Sequence, residues 1–429
     1  MSTEIRPVTT DCNIRCVYCY QTSLRDADPT HRYDEEAVFE AAKKLDNPFS
    51  LFGGESLILP LPKIEKLLEL CFSRWKSSGI QTNGTLITEA HIEAFKKYKT
   101  HVGISLDGPD ELNDSRWAGT REATKKLTAR THWAIKRLAE ESKKNKLDFL
   151  MPSIIVTLHA GNASKERFPR LVQWFHELDD MGIQHMNLHI MELDGMAKEL
   201  YLPQEELADR LIDLWNMQHE FKNLRFTKFD EILRLLEGDD CSVVCIWRAC
   251  DPHNTQAVNG IENDGAPSVC SRVHKGAINW LPAEGSGYDA KFIGHPGTRL
   301  HTRQLALYIT PQEHGGCQGC PFWLVCLGNC PGEGEHGDWR LRSHYCYTFK
   351  RLFDEGAKRL RLVGKKPICD WEHRGHLEEQ LQNLFLTGHP QATLNFVVKM
   401  DKDATKKGMT RVKNGYHADS DYHEDSDGK

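Results

Sequence analysis

The chain has 429 residues, 39% hydrophobic and 27% charged, which is long enough for two or three domains with buried cores. A formal charge of −6, from 55 basic and 61 acidic residues mixed along most of the length, offers no surface for nucleic acid. No run of about 18 apolar residues exists to span a bilayer, and the start "MSTEIRPVTTDC" lacks the apolar stretch of a secretory signal, so a cytoplasmic protein without membrane contact is expected.

From the N-terminus the hydrophobic period switches repeatedly between two and 3.6. Strand patterns over 4–8, 49–54 and 79–84 alternate with helical patterns over 34–45, 61–75 and 88–98. A strand over 101–107, a long helix over 120–145, a strand over 152–159, a helix over 166–178 and a strand over 183–191 follow. Six strand–helix units imply right-handed crossovers and a parallel sheet, in the form of an open or partial barrel. On the fourth strand Gly103, Ser105 and Asp107 share one face and Val102, Ile104 and Leu106 the other. On the sixth, His185, Asn187 and His189 oppose Met186, Leu188 and Ile190. Apolar faces under the helices leave polar faces toward the middle, either around a ligand cavity or hydrogen-bonded to one another.

Fourteen cysteines without an export signal read as metal ligands before disulfides. Cys12, Cys16 and Cys19 open the chain as C-x3-C-x2-C, after the first strand. The common zinc spacings pair two cysteines with a second pair about 12–20 residues on, and no such pair follows here. Three closely spaced thiolates can instead hold an iron-sulfur cube with one iron left for another ligand. A middle group comprises Cys241, Cys245, Cys250 and Cys270, and a late one Cys317, Cys320, Cys326, Cys330 and Cys346. Cys71 sits in an amphipathic helical pattern and reads as a core residue, while Cys369 stays unassigned.

The triad, with Tyr18 just before its last cysteine, resembles the radical S-adenosylmethionine (SAM) superfamily. In that family the free iron binds the amino and carboxylate groups of SAM, and its reductive cleavage yields a 5'-deoxyadenosyl radical. Gly53, Gly54 and Glu55 match the family's segment for the SAM amino group, the glycines for close approach and the carboxylate for the ammonium. "QTNGTLIT" and "VGISLDGP" resemble the third and fourth strands of peptide-modifying members, especially the anaerobic sulfatase-maturing enzymes, which implies that Asn83, Ser105 and Asp107 face SAM or substrate.

The later cysteines resemble the SPASM domain, a C-terminal module of radical SAM enzymes acting on peptides and proteins. By that resemblance Cys317, Cys320, Cys326 and Cys346 hold a distal auxiliary [4Fe-4S] cluster. Cys250, Cys270 and Cys330 hold a proximal one with an eighth ligand upstream, where Cys245 is preferred to Cys241 on spacing. The alternative for these cysteines is interleaved zinc sites. An Asn-Asp-Gly turn before Cys270 predicts a hairpin.

Two departures stand out. Sulfatase maturases carry their catalytic aspartate directly after the cysteine that closes this hairpin, where this chain has Ser271 and then Arg272. The triad also begins at residue 12 with no precursor-recognition segment before it, so recognition is expected from a separate protein or from the catalytic domains.

The expected organisation is an α/β chain with a partial (β/α)6 barrel over 1–225, a cysteine-rich SPASM domain over 226–362, a helical extension over 363–400 and a disordered acidic tail over 401–429. That tail repeats "YHADSD" as "YHEDSD" from Tyr416 and Tyr422, which reads as solvated acidic chain, as a weak metal site or as a substrate-like peptide. The expected function is reductive SAM cleavage followed by cross-linking or oxidation of a peptide or protein side chain, most of all in a ribosomal peptide. An electron donor such as flavodoxin or ferredoxin would be needed. A sulfatase-maturase-like oxidase with another base is the runner-up, and a non-catalytic iron-sulfur or zinc scaffold is the reading from another class.

Overall fold

The computed structural model describes residues 2–27, 32–193, 195–241, 243–251, 258–274, 302–387, 393–406, 409–412 and 415–418. The chain divides into two compact units, residues 1–229 with 258–279 and residues 230–257 with 280–429.

The first unit is the alternating one. Its elements run β1 (Ser2–Ile5), α1 (Thr22–Ala27), α2 (Glu35–Lys43), β2 (Phe49–Leu51), α3 (Leu61–Trp75), β3 (Ser78–Thr82), α4 (Glu89–Lys97) and β4 (Thr100–Ser105). They continue with α5 (Arg121–Asn145), β5 (Ser153–Leu158), a single turn α6 (Ala160–Ala163), α7 (Phe168–Asp180), β6 (His185–Ile190), α8 (Gln204–Asn216) and β7 (Arg225–Phe226); most of the next helix, α9 (Thr227–Leu236), belongs to the second unit. Strands β1 to β7 pair in sequence order, all in parallel. Local chemistry sets several boundaries: the Asp34 and Thr120 side chains accept from the N–H groups of Ala37 and Ala123 and cap α2 and α5.

The strand faces divide as the alternation predicts. Val102, Ile104, Ile154, Val156, Leu158, Met186 and Leu188 are buried, while Gly103, Ser105, Thr157, Asn187 and His189 keep partial exposure. The buried face packs under the helices, where Leu67, Leu68, Leu171, Trp174 and Phe175 are almost solvent-free. Cys71 is buried on α3 and its thiol donates to the Phe49 carbonyl, as a core cysteine would.

The expected boundary at 225 is corrected by the hairpin of β8 (Val258–Ile261) and β9 (Pro267–Ser268). Strand β8 pairs in parallel with β1, so the segment expected in the second domain lengthens the first unit's sheet. Gly265 takes φ 79° in the predicted turn, a conformation glycine adopts without penalty. The turn α10 (Ser271–His274) follows.

The second unit has α11 (Thr302–Ile309), the turn α12 (Trp323–Cys326), α13 (Cys346–Leu362), α14 (Arg374–Leu386), α15 (Leu394–Lys406) and a small hairpin of β10 (Met409–Val412) with β11 (Gly415–Ala418). Its core gathers Trp247, Phe349 and Phe353, the indole standing edge-on to both phenyl rings and its N–H bonded to Glu231. Helix α15 and the hairpin correct the expectation of a disordered tail from 401. Leu394, Val397, Val398, Asp401 and Ala404 recur at helical spacing and are buried, which carries the helix through Lys406. The second half of the repeat, from Tyr422, lies outside the described residues. Among the described residues no helix is long and apolar enough to cross a membrane.

Candidate active site

The cysteine triad lies on the loop between β1 and α1, held by backbone bonds on two sides. On one side the Gly54 N–H donates to the Thr9 carbonyl at 2.8 Å and the Glu55 N–H to that of Asp11 at 2.7 Å. On the other, Arg15 N–H donates to the Trp117 carbonyl at 2.6 Å and Val17 N–H to that of Ser115 at 2.8 Å. The two glycines serve this contact directly. A Cβ on Gly54 would stand 1.9 Å from the Asp11 carbonyl oxygen, and one on Gly53, at φ 111°, would stand 2.6 Å from that of Thr9. Their close approach is to the chain's own cysteine loop.

Glu55 is fully buried and its carboxylate accepts from Leu57 N–H, Thr82 Oγ1 and Asn83 N–H at 2.7–3.1 Å. Burial pushes its carboxyl up in spite of these three donors. It therefore ties β3 to the turn after β2. Asp107 is also without exposure. Its oxygens accept from Thr157 N–H at 3.0 Å and from the Tyr18 hydroxyl, with His159 Nε2 at 3.7 Å and Arg116 Nη1 at 4.0 Å. Burial alone would push the Asp107 carboxyl up, but His159, Arg116 and Tyr18 outweigh it and hold the group below the usual range. Arg116 also donates to the Tyr18 oxygen at 2.9 Å, so the phenol between Cys16 and Cys19 is clamped from both sides. Asp107, expected from the sequence to face SAM or substrate, also orients Tyr18.

The other predicted wall residues are partly bonded to each other. Ser105 Oγ accepts from Gln81 at 2.8 Å, and Asn83 turns its amide to the triad loop. Asn187 and His189 on β6 keep partial exposure on the polar face. Burial, with Arg272 and Lys228 nearby, pulls His189 down to about 3, so it is a neutral imidazole at any working pH. Where the maturases' aspartate would stand, Ser271 is buried and opens α10, and Arg272 pairs with Glu192 at 2.7 Å, its guanidinium 5.7 Å from the centre of the Tyr20 ring. This cluster of Tyr20, Glu192, Lys228 and Arg272 carried no sequence motif.

Burial pushes the Cys12 thiol up and that of Cys16 up to about 12. Such thiols are held neutral until a cation replaces the proton. Among the described residues no three His, Cys, Asp or Glu side chains converge on a point where one metal ion would sit. A four-iron cube asks for something different, because each thiolate binds a separate iron and the ligands surround a volume. Three cysteines on one loop fit such a cube with one open iron.

The second unit gathers a second set of cysteines. One pocket is lined by Cys317, Cys320, Cys326 and Cys346 with the rings of Phe322, Trp323 and Phe349. Burial pushes Cys317 up to about 12 and raises Cys326 and Cys346, and each of these thiols feels the charge of at least one other cysteine of the pocket. Arg303, only 1% exposed, bonds the carbonyls of Trp339, Asn329 and Leu341 at 2.6–2.9 Å and those of Gly328 and Cys250 at 3.2–3.3 Å. Burial pulls this guanidinium down while charge on Cys250, Cys330, Asp251 and Cys317 pulls it back up. A buried cation among cysteines fits a site whose thiolates carry net negative charge. Of the two upstream cysteines, Cys241 is exposed with its sulfur accepting from Asn395 at 3.0 Å, whereas Cys245 is half-buried in a single turn, 245–247. Cys270 closes the hairpin of the first unit.

Residues 7–162 match the family described as the Radical SAM superfamily. Those residues therefore carry a radical SAM domain. The chain is 25% identical over 389 residues to a cysteine-type anaerobic sulfatase-maturating enzyme of Clostridium perfringens, covering 84% of this chain and 97% of the relative. It is 29% identical to a serine-type anaerobic sulfatase-maturating enzyme of Klebsiella aerogenes, over 83% of this chain and 85% of the relative. Among solved structures, native anSMEcpe with bound AdoMet superposes with a TM-score of 0.58 at 22% identity, covering 84% of this chain and 98% of that one. SuiB of Streptococcus suis bound to S-adenosylmethionine gives 0.52 at 16% identity, over 80% and 76%. The fold of anSMEcpe is thus shared along most of the chain.

Proposed function

We propose that Cys12, Cys16 and Cys19 hold a four-iron cluster with SAM on its open iron, and that the enzyme modifies a side chain of a peptide or protein by cross-linking or oxidation. When bound, cluster and SAM together supply a 5'-deoxyadenosyl radical that takes a hydrogen atom from the substrate. The chain's own residues position and shield. The Gly53–Glu55 turn and the 115–117 segment fix the triad loop, and Tyr18, clamped by Asp107 and Arg116, orders the stretch between two ligands. The observation that carries the reading is this loop, held on both flanks by backbone bonds and carrying three half-buried cysteines at C-x3-C-x2-C spacing. Cys317, Cys320, Cys326 and Cys346 would hold an auxiliary cluster in the second unit, supported by their shared pocket. The set of Cys245, Cys250, Cys270 and Cys330 rests on its order in the chain. A one-electron donor such as flavodoxin or ferredoxin would serve the triad, and a separate protein or the catalytic domains would recognise a ribosomal precursor.

The test is anaerobic reconstitution. About twelve irons per chain are expected if three four-iron clusters form, and reduced protein should turn SAM into 5'-deoxyadenosine and methionine. Cys16→Ala should keep about eight irons and lose SAM cleavage; cleavage surviving in that variant would sink the reading. The second reading is a sulfatase-maturase-like oxidase, favoured by the near full-length match to the two maturating enzymes. It is opposed by Ser271 and Arg272 at the place of the base, and a sulfatase-derived peptide carrying a target cysteine or serine separates the two.

A further inference from the structure

We propose that Asn83 is a positioning residue that raises the reduction potential of the cluster on the Cys12 loop, by donating an amide hydrogen bond to the Cys12 sulfur. The inference rests on the reading of the triad given above. Asn83 is 6% exposed and every polar atom it carries is held. Its Oδ1 accepts from the Thr85 N–H at 2.9 Å and from Thr85 Oγ1 at 2.6 Å. A backbone N–H can only donate, so the amide has one orientation, with Nδ2 turned to the triad loop. One Nδ2 hydrogen goes to Asn13 Oδ1 at 2.8 Å and the other to Cys12 Sγ at 3.7 Å, an ordinary N–H to sulfur distance. Asn13 closes the ring by donating to Thr85 Oγ1 at 2.8 Å. The main chain of Asn83 is fixed as well, its N–H on Glu55 Oε2 at 2.7 Å and its carbonyl on Thr131 Oγ1 at 2.9 Å.

The ring of Asn13, Thr85 and Asn83 would satisfy itself without the sulfur. What the second Nδ2 hydrogen adds is a dipole aimed at a ligand thiolate. Reduction places one more negative charge on a cluster, and a donor on a ligand sulfur stabilises that charge, so hydrogen bonds to sulfur raise the potential. Asn83 therefore acts on the cluster through Cys12, a role different from the SAM or substrate contact expected from the sequence.

The experiment is an EPR-monitored redox titration of the reconstituted full-length chain, with iron content measured alongside. The triad's cluster is followed as the reduced signal that Cys16→Ala lacks. Asn83→Ala should move its midpoint to more negative potential, and the isosteric Asn83→Asp, which replaces the donor by a carboxylate, should move it further. Midpoints equal to wild type in either variant overturn the proposal. So does loss of the triad's iron in both variants, which would make the amide a purely structural post. A wild-type chain with no signal dependent on Cys16 would instead remove the parent reading, a separate and distinguishable failure.

Discussion

Gly54 offers a sharp test of how the triad is held. In Gly54→Ala the new Cβ would stand 1.9 Å from the Asp11 carbonyl oxygen, 2.5 Å from its carbon and 2.6 Å from that of Thr10. All three are backbone atoms, so no side chain can swing aside and the loop itself must move. Overpacking of this kind costs about 1–3 kcal/mol. The displaced loop would also strain the Gly54 to Thr9 and Glu55 to Asp11 hydrogen bonds, each contributing about 0.5–1.5 kcal/mol. Together the loss is about 2–6 kcal/mol, or a factor of roughly 30 to some tens of thousands in the population of the ligand-ready loop. The assay is iron retention by the reconstituted chain against a graded chelator, with SAM cleavage measured in parallel. Auxiliary iron should stay at its wild-type level while triad iron and cleavage fall together. Gly375→Ala, where nothing lies within 4 Å of the added carbon, is the control and should change neither. If Gly54→Ala holds its triad iron as tightly as wild type, the idea that these glycines exist for contact with the cysteine loop is wrong.

Two further outcomes follow from buried charge. Arg303→Met should strip three short bonds from the carbonyls of Trp339, Asn329 and Leu341; at roughly 1–3 kcal/mol per stranded buried acceptor, the second unit should lose about 3 kcal/mol or more, and wild-type auxiliary iron with an unchanged unfolding midpoint would contradict this. Asp179, buried and accepting from the N–H groups of Lys222, Asn223 and Leu224 at 2.7–3.0 Å, is held below the usual carboxylate range because those bonds outweigh the burial that would push it up. A depressed folded-state value means that its contribution is fully present above the ordinary carboxylate range and is lost as pH falls through the lower, folded one. Asp179→Asn should therefore destabilise the first unit by about 1–3 kcal/mol at neutral pH and by progressively less on acidification, which denaturant melts at a series of pH values would show.

What was legible in the sequence was whatever rests on short-range pattern. The β4 and β6 faces could be read because each residue's neighbours two positions away share its side, and Gly265 because an Asn-Asp-Gly turn is a local signal. The triad could be read because its spacing is the geometry of one loop. Pairing across distance was not legible. Nothing near residue 258 announces a parallel partner at Ser2, so the hairpin was placed in the wrong unit. Arg303 shows no pattern, since the carbonyls it gathers come from three separate stretches of chain. Polar residues at strand ends were ambiguous for another reason: an unpaired carboxylate and a saturated one are spelled alike. Glu55 and Asp107 read as ligand contacts, and the sequence carries no sign of the further tasks that their zero exposure and protein donors show, tying β3 to the turn after β2 and orienting Tyr18.

That saturation narrows where a proton from the substrate could go. Asp107 and Glu55 have their oxygens committed to protein donors, and His189, pulled down to about 3, is too weak a base to hold a proton near neutrality. Glu192, two residues beyond β6 and nearly as buried, is held instead by its ion pair with Arg272 from the segment that follows Cys270, a pair that a substrate could open. Glu192→Gln should then leave SAM cleavage to 5'-deoxyadenosine near its wild-type rate and lower product formation by roughly 100-fold or more, the usual weight of a general base. The two rates come from one reaction mixture, by chromatography of the nucleoside and mass analysis of the peptide. Equal loss of both would mark Glu192 as a structural partner of Arg272, and loss of neither would mean that the proton leaves by a route outside this wall.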